Sequence, residues 1–418
     1  MGEETEMEAA ATILDSVDVD LKKVALLGQS LLQKFNEIRA VSPIYWSPIN
    51  KVWIVTGHAE VVEGLHGGLP LSANRLPKLL TYIPEADRSK YPLILRLVPR
   101  LLISLDPPEQ GRLRRLMMKA FSRKVAESYR PYAREIIGQM LDSAVGEVDF
   151  VHSVSRQIPA RIILRLLGVD QVHLPKVHGW VWAFMNGLSG GGTTPELLQN
   201  AEDVVREMRA LFLAEINKRR AAPTEDFISA LVTAEEDGQG LEEEDILTTC
   251  YLTLTAGYDT TANTMTLGML ALANDPEAWA FVRDHPEAID ANIMEIMRFV
   301  GMSTSTARVV ARDFEWKGHQ FKEGQIVQLM QAGANRDPAV FPNAEVMDFS
   351  HNQQANMVFA PGVHFCIGHF LAKMQLSEFF PALLRTFKSI DVLDSELQWG
   401  PALTFRGLQS LNVRLNRH

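Results

Sequence analysis

The sequence predicts a mainly α-helical protein, a single large domain with small peripheral β-sheets, and three observations carry that expectation. Apolar residues recur at helical spacing along much of the 418-residue chain, whereas strand-like alternation is confined to a few short runs. The stretch Asp245 to Asn274 is apolar on nearly every face, and about 30 residues would make a buried helix roughly 45 Å long. No Pro/Ser-rich linker, repeat or low-complexity block interrupts residues 20–418.

Composition narrows the function. Hydrophobic residues make up 46% and charged residues 22%, as in a globular protein with a large core. With 51 acidic against 41 basic residues the formal net charge is −10, which argues against nucleic-acid binding. The acidic first residues, Met1 to Glu8, lack the basic region and apolar core of a secretory signal. No window reaches the roughly 20 apolar residues of a membrane span. A cytoplasmic protein is therefore expected, and two cysteines, Cys250 and Cys366, suit a reducing compartment.

Taken in order, residues 1–19 read as a flexible tail and Leu26 to Phe35 as an amphipathic helix. Ile44 to Trp46 and Val52 to Thr56 read as a hairpin, with Pro48 and Asn50 between them. From Leu69 to Pro99 five prolines break an apolar and aromatic stretch that includes Leu79, Tyr82 and Ile83. Such a segment is either surface packing or a substrate-contacting loop. Asp106-Pro-Pro-Glu-Gln is a helix start, with Asp106 as the cap.

On the helix that follows, Arg112, Arg115, Lys119 and Arg123 share one stripe. That stripe is either a solvated face or a docking patch for an acidic electron carrier. Arg114 falls among the apolar residues, where a guanidinium needs an anion. Helical patterns continue over Ile158 to Leu167, closed by Gly168, and over Gly179 to Asn186. Gly190, Gly191 and Gly192 then link to a long helix from Pro195 to Arg220, while Trp182, Phe184 and Met185 are core or pocket residues.

Two stretches break local rules. In the middle of the apolar helix stands Ala256-Gly257-Tyr258-Asp259-Thr260-Thr261, where a glycine, an acid and paired hydroxyls are poor choices for a buried helix. Such violations mark function, unless Thr260 bonds back to a carbonyl of its own helix and Asp259 pairs elsewhere. The second stretch is Phe359-Ala-Pro-Gly-Val-His-Phe-Cys-Ile-Gly368, a Gly-punctuated loop that presents Cys366 just before a helical pattern starting near Phe370. Gly362 and Gly368 let backbone approach a large flat ligand, and a helix N-terminus favours a thiolate. A lone cysteine is more often a core thiol, but His364 and the glycines at fixed spacing, with Ala372 one turn beyond Gly368, argue for a ligand.

The pattern Phe-x-x-Gly-x-His-x-Cys-x-Gly-x-x-x-Ala resembles the haem-binding loop of the cytochrome P450 family, of the soluble bacterial type. The resemblance covers essentially the whole chain after the tail and implies haem b, with Cys366 as the iron ligand. It also implies cofactor contacts at His364, Arg308, Arg114, Phe359, Gly362, Gly368, Ala256 and Gly257. Asp259 and Thr260 match the family's oxygen-binding groove, where they deliver protons. The pushing of electron density by the cysteine thiolate is a property for which this family is the standard illustration.

The resemblance implies pocket residues at Tyr82, Ile83, Leu252, Thr255, Ala256, Met302, Ser303, Thr304, Thr404 and Phe405, although the run of small hydroxyls could also be a solvated turn. Glu295 and Arg298, three apart on a predicted helix from Pro286 to Phe299, match the family's Glu-x-x-Arg pair that holds the cysteine loop. The usual third member is an arginine, and here that position is His351. A protonated His351 would substitute in part and make haem retention sensitive to rising pH.

The implied activity is insertion of one atom of dioxygen into an apolar small molecule by a monomeric enzyme. Electrons would come from a ferredoxin and its ferredoxin reductase, since no Gly-x-Gly-x-x-Gly fingerprint is present. A peroxide-driven haem-thiolate peroxygenase and a non-catalytic haem-binding sensor are the rivals.

Overall fold

The computed structural model describes residues 17–81, 83–188, 194–236 and 238–418. Tyr82, the glycine link 190–192 and residues 1–16 of the expected tail lie outside the described residues. The chain forms two compact units, each assembled from separated segments: residues 1–73, 290–366 and 396–409 in the first, and 74–289, 367–395 and 410–418 in the second.

The first unit is built on a five-stranded sheet. Its strands run in the order Ile44–Ser47, Val52–Val55, Ile326–Leu329, Thr306–Val310 and Leu71–Ser72. The first two form the predicted antiparallel hairpin, with Trp46 opposite Trp53, and the next joint is parallel, with Val327 opposite Trp53. Trp53, Val55, Val310, Phe321, Val327 and Leu329 make one side of the core. Phe35, Ile38, Ile54 and Met330 belong to the other.

Two expectations are corrected here. Asp18 and Val19 are not tail: Val19 is 4% exposed, and the Asp18 carboxylate accepts from Ser47 Oγ at 2.8 Å. Burial of Val19 offsets the entropy of fixing the chain there. The helix expected over Leu26–Phe35 is two helices, Val24–Leu27 and Ser30–Val41. Gly28 at φ +50° breaks the continuity, a conformation that glycine adopts readily.

The second unit is helical. Its centre is Glu243–Ala273, with most residues buried, and Glu242 and Asp245 exchange side-chain bonds with each other's backbone N–H as a capping box. Helices Gln157–Leu166, Leu174–Leu188 and Pro195–Ala221 pack against it. Gly168 ends the first at φ +63°, as predicted. A three-stranded sheet of Phe387–Val392, Asn412–Arg417 and Gly146–Asp149 completes the unit.

The helix expected at Asp106 is assigned from Glu109, with Pro108 in the cap position, and Gln110 N already donates to Asp106 O at 3.1 Å. That helix ends at Met118 and another starts at Arg123. Arg123 therefore leaves the stripe. Arg115 and Lys119 are exposed and Arg112 is half-buried, while Lys119 Nζ donates to Glu235 O at 2.7 Å. Trp182 is 47% exposed, so it is not core, whereas Phe184 is buried.

Candidate functional site

In the first unit the site is assembled from Arg298. This guanidinium is fully buried, and each of its N–H donors has an acceptor. Nε and Nη2 reach Glu295 at 2.8 and 2.7 Å, and the carbonyls of Asn335, Ala344 and Val346 take the rest at 2.8 to 2.9 Å. Glu295 is also buried, which by itself would raise its pKa. The Arg298 hydrogen bonds and charge, the Asp348 N–H and Gln353 bring it below the usual carboxylate value.

His351 is the third member of this group. Its side chain is 4% exposed, with Nδ1 3.2 Å from Glu295 Oε1 and Nε2 2.6 Å from Pro342 O. Both neighbours are acceptors, one a carboxylate and one a backbone carbonyl. His351 thus bridges Glu295 and the Pro342 carbonyl at the position where the family pattern has an arginine.

From there the backbone is tied forward to the cysteine loop. Asn335 Oδ1 accepts from Met357 N at 2.8 Å, and Gln331 Nε2 donates to Met357 O at 3.0 Å. Within the loop Cys366 N donates to Phe359 O at 2.8 Å, and Phe365 N to Gly362 O at 3.0 Å. Gly362 has φ +88°, and a Cβ there would stand 2.3 Å from Leu65 O, so only glycine fits.

The two cysteines differ sharply. Cys250 is fully buried and its thiol is pushed far up by desolvation, the behaviour of a core thiol. Cys366, like every residue from Phe359 to Phe370, keeps part of its surface accessible. That is the donor a thiolate-ligated group needs. His364 and Phe359 flank it, half-exposed. Arg308 is 6% exposed on the strand Thr306–Val310, its Nη1 donating to Ala307 O at 3.0 Å.

The two predicted pocket segments of this unit meet. Ser303 bridges Phe405, and Thr304 N donates to Thr404 O at 3.0 Å. Met302 and Thr304 are buried, so this is a packed junction and not a solvated turn. Sequence reading missed Arg406, which is buried beside these residues, donates to Val300 O and Gly28 O at 3.0 and 3.1 Å, and lies over the Trp399 ring. Desolvation pushes its pKa down to about 9.

In the second unit the helix Glu243–Ala273 runs unbroken through the acid–alcohol pair. Thr260 Oγ1 donates to Ala256 O at 2.6 Å, the back-bond left open by the sequence. With its proton committed there, the hydroxyl still has lone pairs with which to accept. Asp259 accepts from Asn263 Nδ2 at 3.2 Å. Desolvation raises its pKa, against the opposing Arg156 charge and the Asn263 bond. An acid whose proton affinity is raised, beside a hydroxyl that can still accept a hydrogen bond, is suited to proton delivery.

Other predicted residues of this unit have packing roles. A Cβ on Gly257 would stand 2.8 Å from Ile163 Cδ1, so its smallness lets the helix Gln157–Leu166 approach. Thr255 is buried and bonds back to Tyr251 O at 2.8 Å. Ile83 is 1% exposed in a cluster with Leu79, Tyr91, Ile94 and Leu198. Leu252 and Ala256 remain partly accessible, and Arg114 is half-buried. A Cβ on Gly368 would meet open space, which leaves room beside the helix His369–Thr386.

A family model described as Cytochrome P450 matches residues 191–397. The mycinamicin IV hydroxylase/epoxidase of Micromonospora griseorubida is 32% identical, with 91% of this chain and 93% of that protein covered. This chain belongs to the cytochrome P450 family. The biotin biosynthesis cytochrome P450 of Bacillus subtilis (strain 168) is 28% identical over 91% of this P450 and 94% of that relative. Among solved structures, P450BioI in complex with an acyl carrier protein ligated to hexadec-9Z-enoic acid matches with a TM-score of 0.85 and 26% identity. The match covers 94% of this P450 and 99% of that chain.

This P450 is a monooxygenase of a family that binds haem and takes a small-molecule substrate and dioxygen. The half-exposed thiol, the Gly362 turn and the buried Arg308 are a donor set that fits the group. Among the described residues no helix is long and apolar enough to cross a membrane.

Proposed function

We propose that this P450 inserts one oxygen atom into an apolar small molecule, using electrons supplied by a ferredoxin-type carrier and its reductase. The observation that carries the reading is Asp259, a desolvated acid with a raised pKa adjoining Thr260, whose hydroxyl is free to accept. A peroxide-driven enzyme has no need of such a pair.

Cys366 would ligate the haem iron, and Arg308, Arg114 and His364 would meet its carboxylates. When bound, the haem supplies the activation of dioxygen. The protein's own contribution is to hold and move protons: Thr260 accepts a hydrogen bond from water, and Asp259 passes it a proton. Taken unit by unit, Ser303, Thr404 and Phe405 in the first and Leu252 and Ala256 in the second are apolar or lightly hydroxylated side chains of the kind that suits an apolar substrate. The names of the relatives, which include a hydroxylase/epoxidase and a complex with a fatty-acyl carrier protein, support the same class.

The test has two steps. Reduced protein treated with carbon monoxide should show the strongly red-shifted Soret band of thiolate ligation, and its absence would falsify the assignment of Cys366. Turnover should then proceed with a ferredoxin system, and Asp259→Asn and Thr260→Ala should divert electrons to hydrogen peroxide. Equal product yields from peroxide alone, with these variants unaffected, would favour the peroxygenase.

A further inference from the structure

A buried cation normally stands beside an anion, because desolvating an unpaired charge is costly. Arg406 breaks that rule. It is 9% exposed, its Nε has no hydrogen-bond partner among the described residues, and the charge that bears on it is a like one, Arg336. What holds it is two backbone carbonyls and a ring: Val300 O at 3.0 Å, Gly28 O at 3.1 Å, and Trp399, whose ring centroid lies 4.0 Å from the guanidinium carbon. Such a charge adds little stability. A planar fork with fixed donor directions supplies instead a single arrangement of the groups around it.

All of these groups belong to the first unit. Thr304 N donates to Thr404 O at 3.0 Å, Arg406 N donates to Met302 O at 2.8 Å, and Ser303 bridges Phe405 between these bonds. That is a short antiparallel ladder, in which successive side chains leave on opposite faces. Phe405, partly accessible, and Arg406, buried, are such neighbours. The guanidinium therefore stands behind the wall that Phe405 helps to form. There the hairpin is closed at its base, with Trp399 bridging Leu408 and Gly400 N donating to Gly407 O at 2.9 Å. Arg406 fastens it to the last residue of the helix Ile289–Val300, where a cation meets the C-terminal dipole favourably. Its other hold is Gly28, just past the helix Val24–Leu27. The joint is tight, since a Cβ on Gly28 would stand 2.7 Å from Trp399 Nε1.

We infer that Arg406 is a positioning residue for substrate: by tying residues 302–304 and 404–406 to Val300 and Gly28 from behind, it fixes how far Ser303, Thr404 and Phe405 reach toward a bound molecule, and so which shapes this P450 accepts. The inference rests on the reading of those three as pocket residues. Through this joint Gly28, far from them in sequence, takes a share in selectivity.

The test uses the haem-loaded enzyme and two iron-binding probes, imidazole and 4-phenylimidazole, each titrated by the shift of the Soret band. Imidazole is too small to report on a pocket wall, whereas the added phenyl ring does so. Arg406→Ala should weaken 4-phenylimidazole relative to imidazole by roughly threefold to tenfold, the scale of a small change in pocket shape, and leave imidazole itself unchanged. Arg406→Lys, able to keep one carbonyl bond, should show a smaller change of the same sign. Gly28→Ala, which crowds Trp399 from the other side, should also lower the preference for the larger probe. Thermal melts of the same variants separate positioning from packing. Variants that hold haem and melt lower, yet keep the parent's ratio of dissociation constants, overturn the inference. Should Arg406→Ala fail to hold haem, Arg406→Lys and Gly28→Ala decide by the same ratio. If Phe405→Ala itself leaves that ratio at the parent's value, the pocket reading fails instead, and the two failures are told apart.

Discussion

At His351 one side chain settles whether the Glu295–Arg298 pair is a closed cluster. The ring meets a carboxylate on one side and a carbonyl on the other. His351→Ala removes both contacts and should lower stability in denaturant unfolding by about 1–3 kcal/mol, while His351→Arg, which can donate to both acceptors, should lose less.

The titrating member of the cluster is Glu295. Its pKa is lower in the fold than in the unfolded chain, so its contribution is present above the ordinary carboxylate range and is lost as pH falls through the lowered value. Glu295→Gln leaves the Arg298 charge buried and unpaired and should cost about 3–5 kcal/mol in denaturant unfolding. Asp259 has the reverse sign. Its raised pKa means that ionisation at neutral pH destabilises the fold, so Asp259→Asn should melt higher than the parent while coupling worse. An unchanged or lower melting temperature would count against the desolvation argument.

At the scale of elements, small residues and single carboxylates set how helices approach. Gly257 sits where the helix Gln157–Leu166 comes closest, and Gly257→Val would drive a branched side chain into Ile163. The expected loss is about 1–3 kcal/mol, read from unfolding midpoints. The helix Pro92–Leu97 has no cap from its own sequence. The fully buried Glu202 carboxylate, on Pro195–Ala221, accepts from Leu93 N and Ile94 N at 3.0 to 3.1 Å. Glu202→Ala should speed amide hydrogen exchange across residues 93–97 selectively, since the orphaned N–H groups lose their acceptor.

For the whole molecule, a net charge of −10 means that an acidic electron carrier needs a local basic surface. Arg112 and Arg115 remain candidates, Arg115 exposed and Arg112 half-buried. Reversing both to glutamate should slow ferredoxin-driven turnover and flatten its dependence on salt, while the carbon monoxide spectrum stays unchanged. Equal rates and an equal salt slope in the parent and the double variant would remove this patch from consideration.

The mainly helical class, the hairpin Ile44–Val55, the Gly168 stop and the long central helix were legible in the sequence. Each follows from local physics: period, capping and the conformational range of glycine. The pairing of Glu295 with Arg298 was legible too, because a spacing of three places the two on one helix face. What local rules could not supply was the identity of distant partners. Nothing near Gly257 in sequence predicts Ile163, and nothing near Leu93 predicts Glu202. The tail boundary was misplaced because burial of Val19 outweighs local propensity. The two acceptors that face His351 come from residues 9 and 56 positions away, and its bridging contacts are therefore a property of the tertiary fold alone. Periodicity determines which faces are apolar, but only packing decides which groups lose water together, and it is that loss that sets the proton affinities on which this P450 depends.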